Sequence, residues 1–225
     1  MAHQGKKFVA DLAKQPQQAL PVAEAVKVIK SFRDTKFDQS IEVVLHLGLD
    51  TKQSDQSLRG AVALPHGVGA TKKVIAFVAA DKVAKALAAG AIEAGADDLV
   101  AKIEGGWLDF DVVIAEPAMM RVVAKLGKQL GPKGLMPSPK AGTVTPNIEQ
   151  AVKEYAAGKV EFRNDSGGNV AAAVAKKSFP AEQIADNVKA FIEHIEKLKP
   201  ATVKGLYIKR IAIAGTMTPS VTIAR

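Results

Sequence analysis

The chain has 225 residues, 48% of them apolar and 24% charged, with a formal net charge of +8 and no cysteine. That composition excludes disulfides, thiolate metal centres and a cysteine nucleophile, and a disordered tail as well, since a sizeable core can be buried. No apolar run reaches the roughly 18–20 residues of a membrane helix, and the basic balance points to a polyanionic partner, either nucleic acid or an anionic surface.

The opening MAHQGKKFVADLAKQP has no apolar h-region and carries Asp11, so neither a signal nor a transit peptide is expected, and the expected compartment is the cytoplasm. KQPQQALP is the first turn signal, and VAEAVKVIKSF after it has helical spacing. SIEVVLHLGLD alternates, with Ile41, Val43, Leu45 and Leu47 on one face of a half-buried strand. SLRGAVALPHGVG predicts a short strand stopped by Pro65 and Gly67.

From about Thr71 the texture changes. KKVIAFVA is nearly continuous apolar sequence, as in a strand covered on both faces. DKVAKALAAGAIEAG predicts a helix capped by Asp81 and stopped by Gly95. DDLVAKI, the strand FDVVIAE and the helix PAMMRVVAKLGKQL follow, with Pro117 in the first helical turn. Strands and helices in this alternation read as parallel α/β. The loop GPKGLMPSPKAGT (Gly131–Thr143) leads into a helix over NIEQAVKEYAAGK.

After Lys159 the two-residue alternation returns in VEFRNDSGGNVAAAV, with a turn at Ser166–Gly168. FPAEQIADNVKAFIEHIEKLK is a long amphipathic helix ended by Pro200, and GLYIKRIAIAG and SVTIAR are the last strands. An α/β middle over about 68–159 thus lies between two α+β flanks. One domain built from both chain ends, with a second inserted into it, is the architecture this suggests.

Catalytic patterns are missing from the sequence. The Gly131–Thr143 loop has glycines and lysines, but Lys140 is followed by Ala141 rather than Ser or Thr, and its three prolines remove backbone N–H donors that a phosphate cradle needs. There is no G-x-G-x-x-G turn and no G-x-S-x-G elbow. His3, His46, His66 and His194 lack the spacing of a zinc pair. His46 falls opposite the apolar face of its strand, and His66 reads as a structural turn residue. Asp109 and Asp111 beside Trp107 read as strand-edge charges at solvent rather than a carboxylate pair.

Cations gather in the flanks. Lys197, Lys199, Lys204, Lys209 and Arg210 fall in a stretch without acids, and Lys6, Lys7 and Lys14 open the chain. Helix-dipole placement accounts for Lys197 and Lys199 but not for the other three. In GTMTP, the Thr216 hydroxyl suits a phosphate or 2′-hydroxyl, and Met217 suits a base or sugar face. Phe37, between Lys36 and Asp38, is a similar candidate. By residue type alone, each reads first as a core side chain.

Read together, GPKGLMPSPKAGTV, SDQSLRGAVALPHG, GGWLDFDVVIA, EFRNDSGGNV and KPATVKGLYIKRIAIAGTMTPSV resemble the bacterial L-one family of large-subunit ribosomal proteins, over essentially the whole chain and in order. The resemblance implies an α+β discontinuous domain (1–67 plus 160–225) with an inserted three-layer α/β, Rossmann-like domain (68–159). Pro65, His66, Gly67 and Gly158 would lie in the hinge.

It also implies a protein with no catalysed reaction, no cofactor and no metal, found in the large subunit of the cytoplasmic ribosome and monomeric off it. Its partners would be folded large-subunit ribosomal RNA, exit-site tRNA whose release it assists, and its own mRNA, whose translation it represses. On this likeness Phe37, Thr216 and Met217 contact RNA, joined by Lys36, Ser40, Asp165, Ser166, Gly168 and Lys204. Lys133 and Lys140 would touch RNA secondarily. Two departures stand out. Thr218 occupies a position where the family usually has glycine, so its hydroxyl is expected to replace a backbone contact there, and Ser138 stands where asparagine is common. Two other readings compete: an α/β enzyme holding a phosphorylated metabolite at the Gly131–Thr143 loop, and a ribosome-independent RNA chaperone.

Overall fold

A computed structural model of the chain describes residues 5–69 and 71–224; His3 lies outside them. The chain divides into two compact units. The first runs up to Gly69 and resumes at Val160, and the second ends at Lys159.

The first unit is built on a four-stranded antiparallel sheet. Its strands are β1 (Ser40–Leu47), β7 (Asn169–Lys176), β8 (Ile208–Gly215) and β9 (Val221–Ile223), in the order β7-β1-β8-β9. Alternation makes this sheet two-faced. Ile41, Val43, Leu45 and Leu47 of β1 are buried, and so are Val170, Ala172 and Val174 of β7 and Ile211 and Ile213 of β8. They join one core with α2 (Val22–Ser31) and α8 (Ala181–Lys197), whose buried positions include Ala25, Val26, Ile29, Ile184, Val188, Phe191 and Ile195. A ribbon of β2 (Arg59–Val62) and β6 (Val160–Arg163) completes this core, with Phe162 edge-on to Phe191 at 5.8 Å. β6 pairs with β2 and β7 with β1, and the turn between them, closed by an antiparallel Asn164–Val170 bridge, moves the chain from one sheet to the other. A short helix α1 (Lys6–Leu12) precedes these elements.

The second unit has a parallel sheet in the order β4-β3-β5, made of β3 (Val74–Phe77), β4 (Glu93–Gly95) and β5 (Val112–Ala115). Every residue of β3 and β5 is buried, as the continuous apolar runs require when both faces are covered. Ile75, Phe77, Val113 and Ala115 pack with Leu99, Val100 and Ile103 of α4 (Asp97–Glu104) and Val123 of α5 (Met120–Ala124). α7 (Ile148–Ala156) packs against β3 and β5 and against α3 (Val83–Ala88).

Two elements differ from the sequence expectation. DKVAKALAAGAIEAG is not one helix: α3 ends at Ala88, Gly90 takes φ 109°, and Glu93–Gly95 becomes β4 paired to β3. Alanine-rich sequence favours helix locally, but the open edge of β3 captures the segment. Asp81 makes no side-chain cap and sits in a 3-10 turn, Ala80–Lys82. PAMMRVVAKLGKQL also breaks, into the 3-10 turn Pro117–Met119, α5 and α6 (Gly127–Leu130), with Pro117 in the first turn.

Candidate nucleic-acid interface

Among the described residues, the sheet of the first unit keeps one face free of helices. Its outward residues fall in transverse rows: Ala173–Glu42–Ala214, then Ala171–Val44–Ala212–Thr222, then Asn169–His46–Arg210. All are exposed or half-buried. Four are alanines, so the surface is low and flat, and a bulky ligand can approach the strands closely. Glu42 is the single carboxylate in these rows. His46 is half-buried and its Nδ1 lies 2.8 Å from Asn169 Oδ1.

At the start of β1, the chain builds a raised rim. Phe37 is 52% exposed and Met217 is 60% exposed, so neither is the core side chain that residue type alone suggested. Both are held from behind. Gln39, 1% exposed, accepts the Met217 N–H at its Oε1 (3.1 Å), and its carbonyl accepts the Lys177 N–H (2.8 Å). Thr35 Oγ1 donates to the Phe37 carbonyl at 2.6 Å. The Thr216 hydroxyl accepts from the Ser40 N–H (3.1 Å) and donates to its carbonyl (3.2 Å). Lys176 Nζ donates to Ser40 Oγ at 2.8 Å, placing a cation on the same edge. Lys36 is exposed beside Phe37.

Behind Phe37, Lys177 donates to the Phe32 carbonyl (2.7 Å) and to Asp34 Oδ1 (2.7 Å). That lysine holds the Asp34 carboxyl below its ordinary value, through its hydrogen bond first and its charge second. Asp38 accepts from the Ser178 N–H (3.1 Å) and hydroxyl (2.7 Å).

Thr218 faces inward. It is 9% exposed, its Oγ1 accepts the Gly215 N–H at 2.8 Å, and its own N–H donates to the Gly215 carbonyl at 3.2 Å. Its hydroxyl is therefore spent on closing the Gly215–Thr218 turn.

The other expected contacts lie at the far end of β1, roughly 24 Å away at about 3.4 Å per residue. Asp165 Oδ1 accepts the N–H groups of Gly167 (2.8 Å) and Asn169 (2.7 Å), and its Oδ2 accepts Asn169 Nδ2 (2.9 Å). These bonds, the Asn169 side chain foremost, push its carboxyl below the usual value. Ser166 is exposed, and its carbonyl accepts the Thr51 hydroxyl at 2.8 Å. Gly168 needs to be glycine: φ is 76°, and a Cβ would stand 3.0 Å from the Leu47 carbonyl oxygen. Lys204 is exposed in the loop before β8, which closes on the same end through Gly48 N–H to Tyr207 O (2.7 Å). The structure thus brings Lys36, Phe37, Ser40, Thr216 and Met217 together at one end, gathers Asp165, Ser166, Gly168 and Lys204 at the other, and lays the alanine face between.

Sequence reading missed that face. Its signal is present in NVAAAVAK and IKRIAIAG, where the outward phase of two strands is alanine, but only the pairing of both with β1 makes one surface of them.

The expected hinge residues are placed as follows. The His66 N–H donates to Asn187 Oδ1 (3.1 Å), and Asn187 Nδ2 donates to the carbonyls of Gly67 (2.9 Å) and Val174 (2.8 Å). Asn187 is 0% exposed within α8, so the exposed Pro65 and its two neighbours are pinned to the first unit. Gly158, with φ 100°, ends α7 in the second unit.

In the Gly131–Thr143 loop, Lys133 and Lys140 are exposed. The amides of Gly134, Leu135, Ser138, Ala141 and Gly142 donate to groups of the loop and of α6, so they do not point together at a ligand. Lys73 Nζ bonds Asp109 (2.6 Å) and its N–H bonds Asp111 (2.9 Å), which removes these carboxylates as an acid–base pair.

The profile of the ribosomal protein L1p/L10e family matches residues 29–219. The chain belongs to that family. It is 53% identical to the large ribosomal subunit protein uL1 of Rhodopirellula baltica over 224 residues, covering 100% of both chains. It is 52% identical to that of Bdellovibrio bacteriovorus (97% of this chain, 94% of the relative) and 48% identical to that of Protochlamydia amoebophila (96% and 93%). L1p/L10e proteins are structural, non-enzymatic ribosomal proteins, in keeping with a site made of exposed apolar side chains, hydroxyls and cations.

Proposed function

We propose that this chain is a large-subunit protein of the cytoplasmic ribosome that binds a folded region of large-subunit ribosomal RNA across the open sheet of its first unit. The observation that carries the reading is the exposure of Phe37 and Met217 on a rim whose backbone is fixed by Gln39 and Ser40. Exposed apolar side chains on a fixed backbone lie against bases and sugars with little ordering cost. Thr216, Ser40 and Lys36 bond sugar and phosphate beside them. Ser166 and Lys204 hold a second stretch of the same RNA at the far end, with Asp165 and Gly168 shaping that turn and Thr218 shaping the Met217 turn. The alanine rows between admit the RNA backbone close to the strands.

The rest of the reading follows the family. The two units are a discontinuous domain and an inserted α/β domain of the Rossmann-like type, and the chain crossings near Gly67 and Gly158 let them move. With the RNA bound, the protein forms a mobile stalk that assists deacylated tRNA out of the exit site, Lys133 and Lys140 making weaker RNA contacts. Off the ribosome it is a monomer that represses its own mRNA by binding a similar RNA shape.

Titration against large-subunit ribosomal RNA over a salt series tests the electrostatic part. Log affinity should fall with log salt by roughly 0.7–0.9 per phosphate neutralised, and a flat response contradicts it. Large subunits should accompany the protein when it is captured from a lysate; an enzyme or a free RNA chaperone would leave them behind.

A further inference from the structure

In the second unit, Leu87 and Ile92 are the large apolar side chains left exposed among the described residues. The turn that ends α3 brings them to one surface. The Gly90 N–H donates to the Leu87 carbonyl and the Ala91 N–H to the Ala86 carbonyl, both at 3.1 Å. Those bonds fold the chain back, with Ala86 and Ala91 buried and the residue after each turned outward. Gly90 is called for by its φ of 109°, and a Cβ built on it would meet nothing within 4 Å, so the ground between the two side chains is open.

Ile92 leads directly into β4, the outer strand of the parallel sheet. Glu93, Ala94 and Gly95 pair with β3 on one side, and among the described residues no strand pairs on the other. The Gly95 carbonyl accepts the Val78 N–H at 3.1 Å and so faces β3. Main-chain groups alternate along a strand, which turns the N–H and carbonyl of Ala94 to the open side. Sheet edges are ordinarily blunted by lysine or proline. Here Ile92 stands at the start of the edge, and the lysine that reaches this strand, Lys102, is neutralised by Glu93 at 2.8 Å.

The charge around this edge runs against the rest of the chain, whose net charge is +8. From Asp81 to Glu104 the cations are Lys82, Lys85 and Lys102, and each is paired, with Glu116, Glu149 and Glu93 respectively. Asp97, Asp98 and Glu104 of α4 are exposed, and among the described residues they take part in no ion pair. The helix dipole accounts for Asp97 and Asp98 in the first turn, but it disfavours Glu104 in the last.

We propose that the outer edge of β4, with Leu87 and Ile92 beside it, docks an extended basic segment of another protein. The segment adds a strand next to Ala94 and exchanges main-chain hydrogen bonds with it. Its apolar side chains cover Leu87 and Ile92, and its lysines or arginines meet the carboxylates of α4. Those carboxylates repel phosphate, so the face does not suit RNA. The inference makes no use of the Phe37–Met217 rim.

The test uses the full chain, freed of RNA, and a short peptide of alternating lysine and valine blocked at both ends. The matching glutamate–valine peptide is the control. The lysine peptide should bind and slow hydrogen exchange at the Ala94 N–H, and the glutamate peptide should bind about tenfold more weakly or worse. Leu87→Gln/Ile92→Thr changes exposed side chains only, so it should keep the melting curve and weaken the lysine peptide about tenfold. Asp97→Asn/Asp98→Asn should narrow the preference between the two peptides. An Ala94 N–H that the lysine peptide leaves unprotected, or a folded Leu87→Gln/Ile92→Thr variant that binds it as the parent does, overturns the proposal. So does equal binding of the glutamate peptide. An RNA duplex that protects Ala94 as well as the peptide does would give the face to RNA, and a dimer abolished by Ile92→Thr would give it to a second copy; either result overturns the proposal too.

Discussion

The Thr216 hydroxyl lies between the N–H and the carbonyl of Ser40, bonding both at 3.1 and 3.2 Å across 176 residues of sequence. It fastens the end of β8 to the start of β1 and so sets where Met217 and Phe37 stand. Thr216→Val keeps the shape and loses both bonds. The site is exposed, so the stability cost should stay at or below about 1 kcal/mol, while affinity for ribosomal RNA should fall about tenfold or more. Parallel urea melts and RNA titrations check this; equal affinity at equal stability contradicts it.

Thr218→Val should act the other way, on the fold first. The variant strips the buried Gly215 N–H of its acceptor, and an unsatisfied buried donor costs about 1–3 kcal/mol. The loss should appear in the urea midpoint, and RNA binding should weaken only as the Met217 turn loosens. A variant as stable as the parent would mean the hydroxyl does not close the turn.

Tyr207 is buried, and its hydroxyl has no hydrogen-bond partner among the described residues. Burial pushes its pKa up to about 12 from 10.0. A phenol harder to ionise in the folded chain keeps its proton while the unfolded chain loses one, so stability falls as pH rises from about 10 towards 12. Tyr207→Phe should be neutral or stabilising at pH 7 and should remove that alkaline loss. Thermal melts at pH 7 and pH 11 decide it; a clear loss at pH 7 would reveal a partner for the hydroxyl.

The Asp165 carboxyl sits below its ordinary 3.8 because the Asn169 side chain and nearby amides bond its charged form. A depressed carboxylate adds stability that is present above pH 3.8 and is lost as pH falls through the lower folded value. Asp165→Asn should therefore lower the melting temperature near neutrality, with the gap closing in acid below about pH 3.8. A gap independent of pH would place the effect in packing rather than charge.

Much of this was readable before folding. The alternation of SIEVVLHL fixes which face of β1 is buried, and the unbroken VIAF and VVIA runs announce strands covered on both sides. β4 was hidden because AAGAIEAG has helical composition, and only the edge of β3 makes it a strand. Phe37 and Met217 could be named from motif likeness, but their exposure is set in the fold, where Thr35 holds the Phe37 carbonyl and Gln39 the Met217 N–H. Asn187 was invisible: in an amphipathic helix it passes for a surface residue, and its burial follows from carbonyls 13 and 120 residues away. The two clusters at opposite ends of β1 could not be told apart either, because their separation exists only in the strand register.

The most direct test of the central claim is co-sedimentation of the chain with large ribosomal subunits that lack it, comparing the parent with Phe37→Ala/Met217→Ala. The account predicts that the parent binds about one to one, while the double variant, with an unchanged melting curve, stays mostly in the supernatant. A double variant that is folded and binds as the parent does would contradict it.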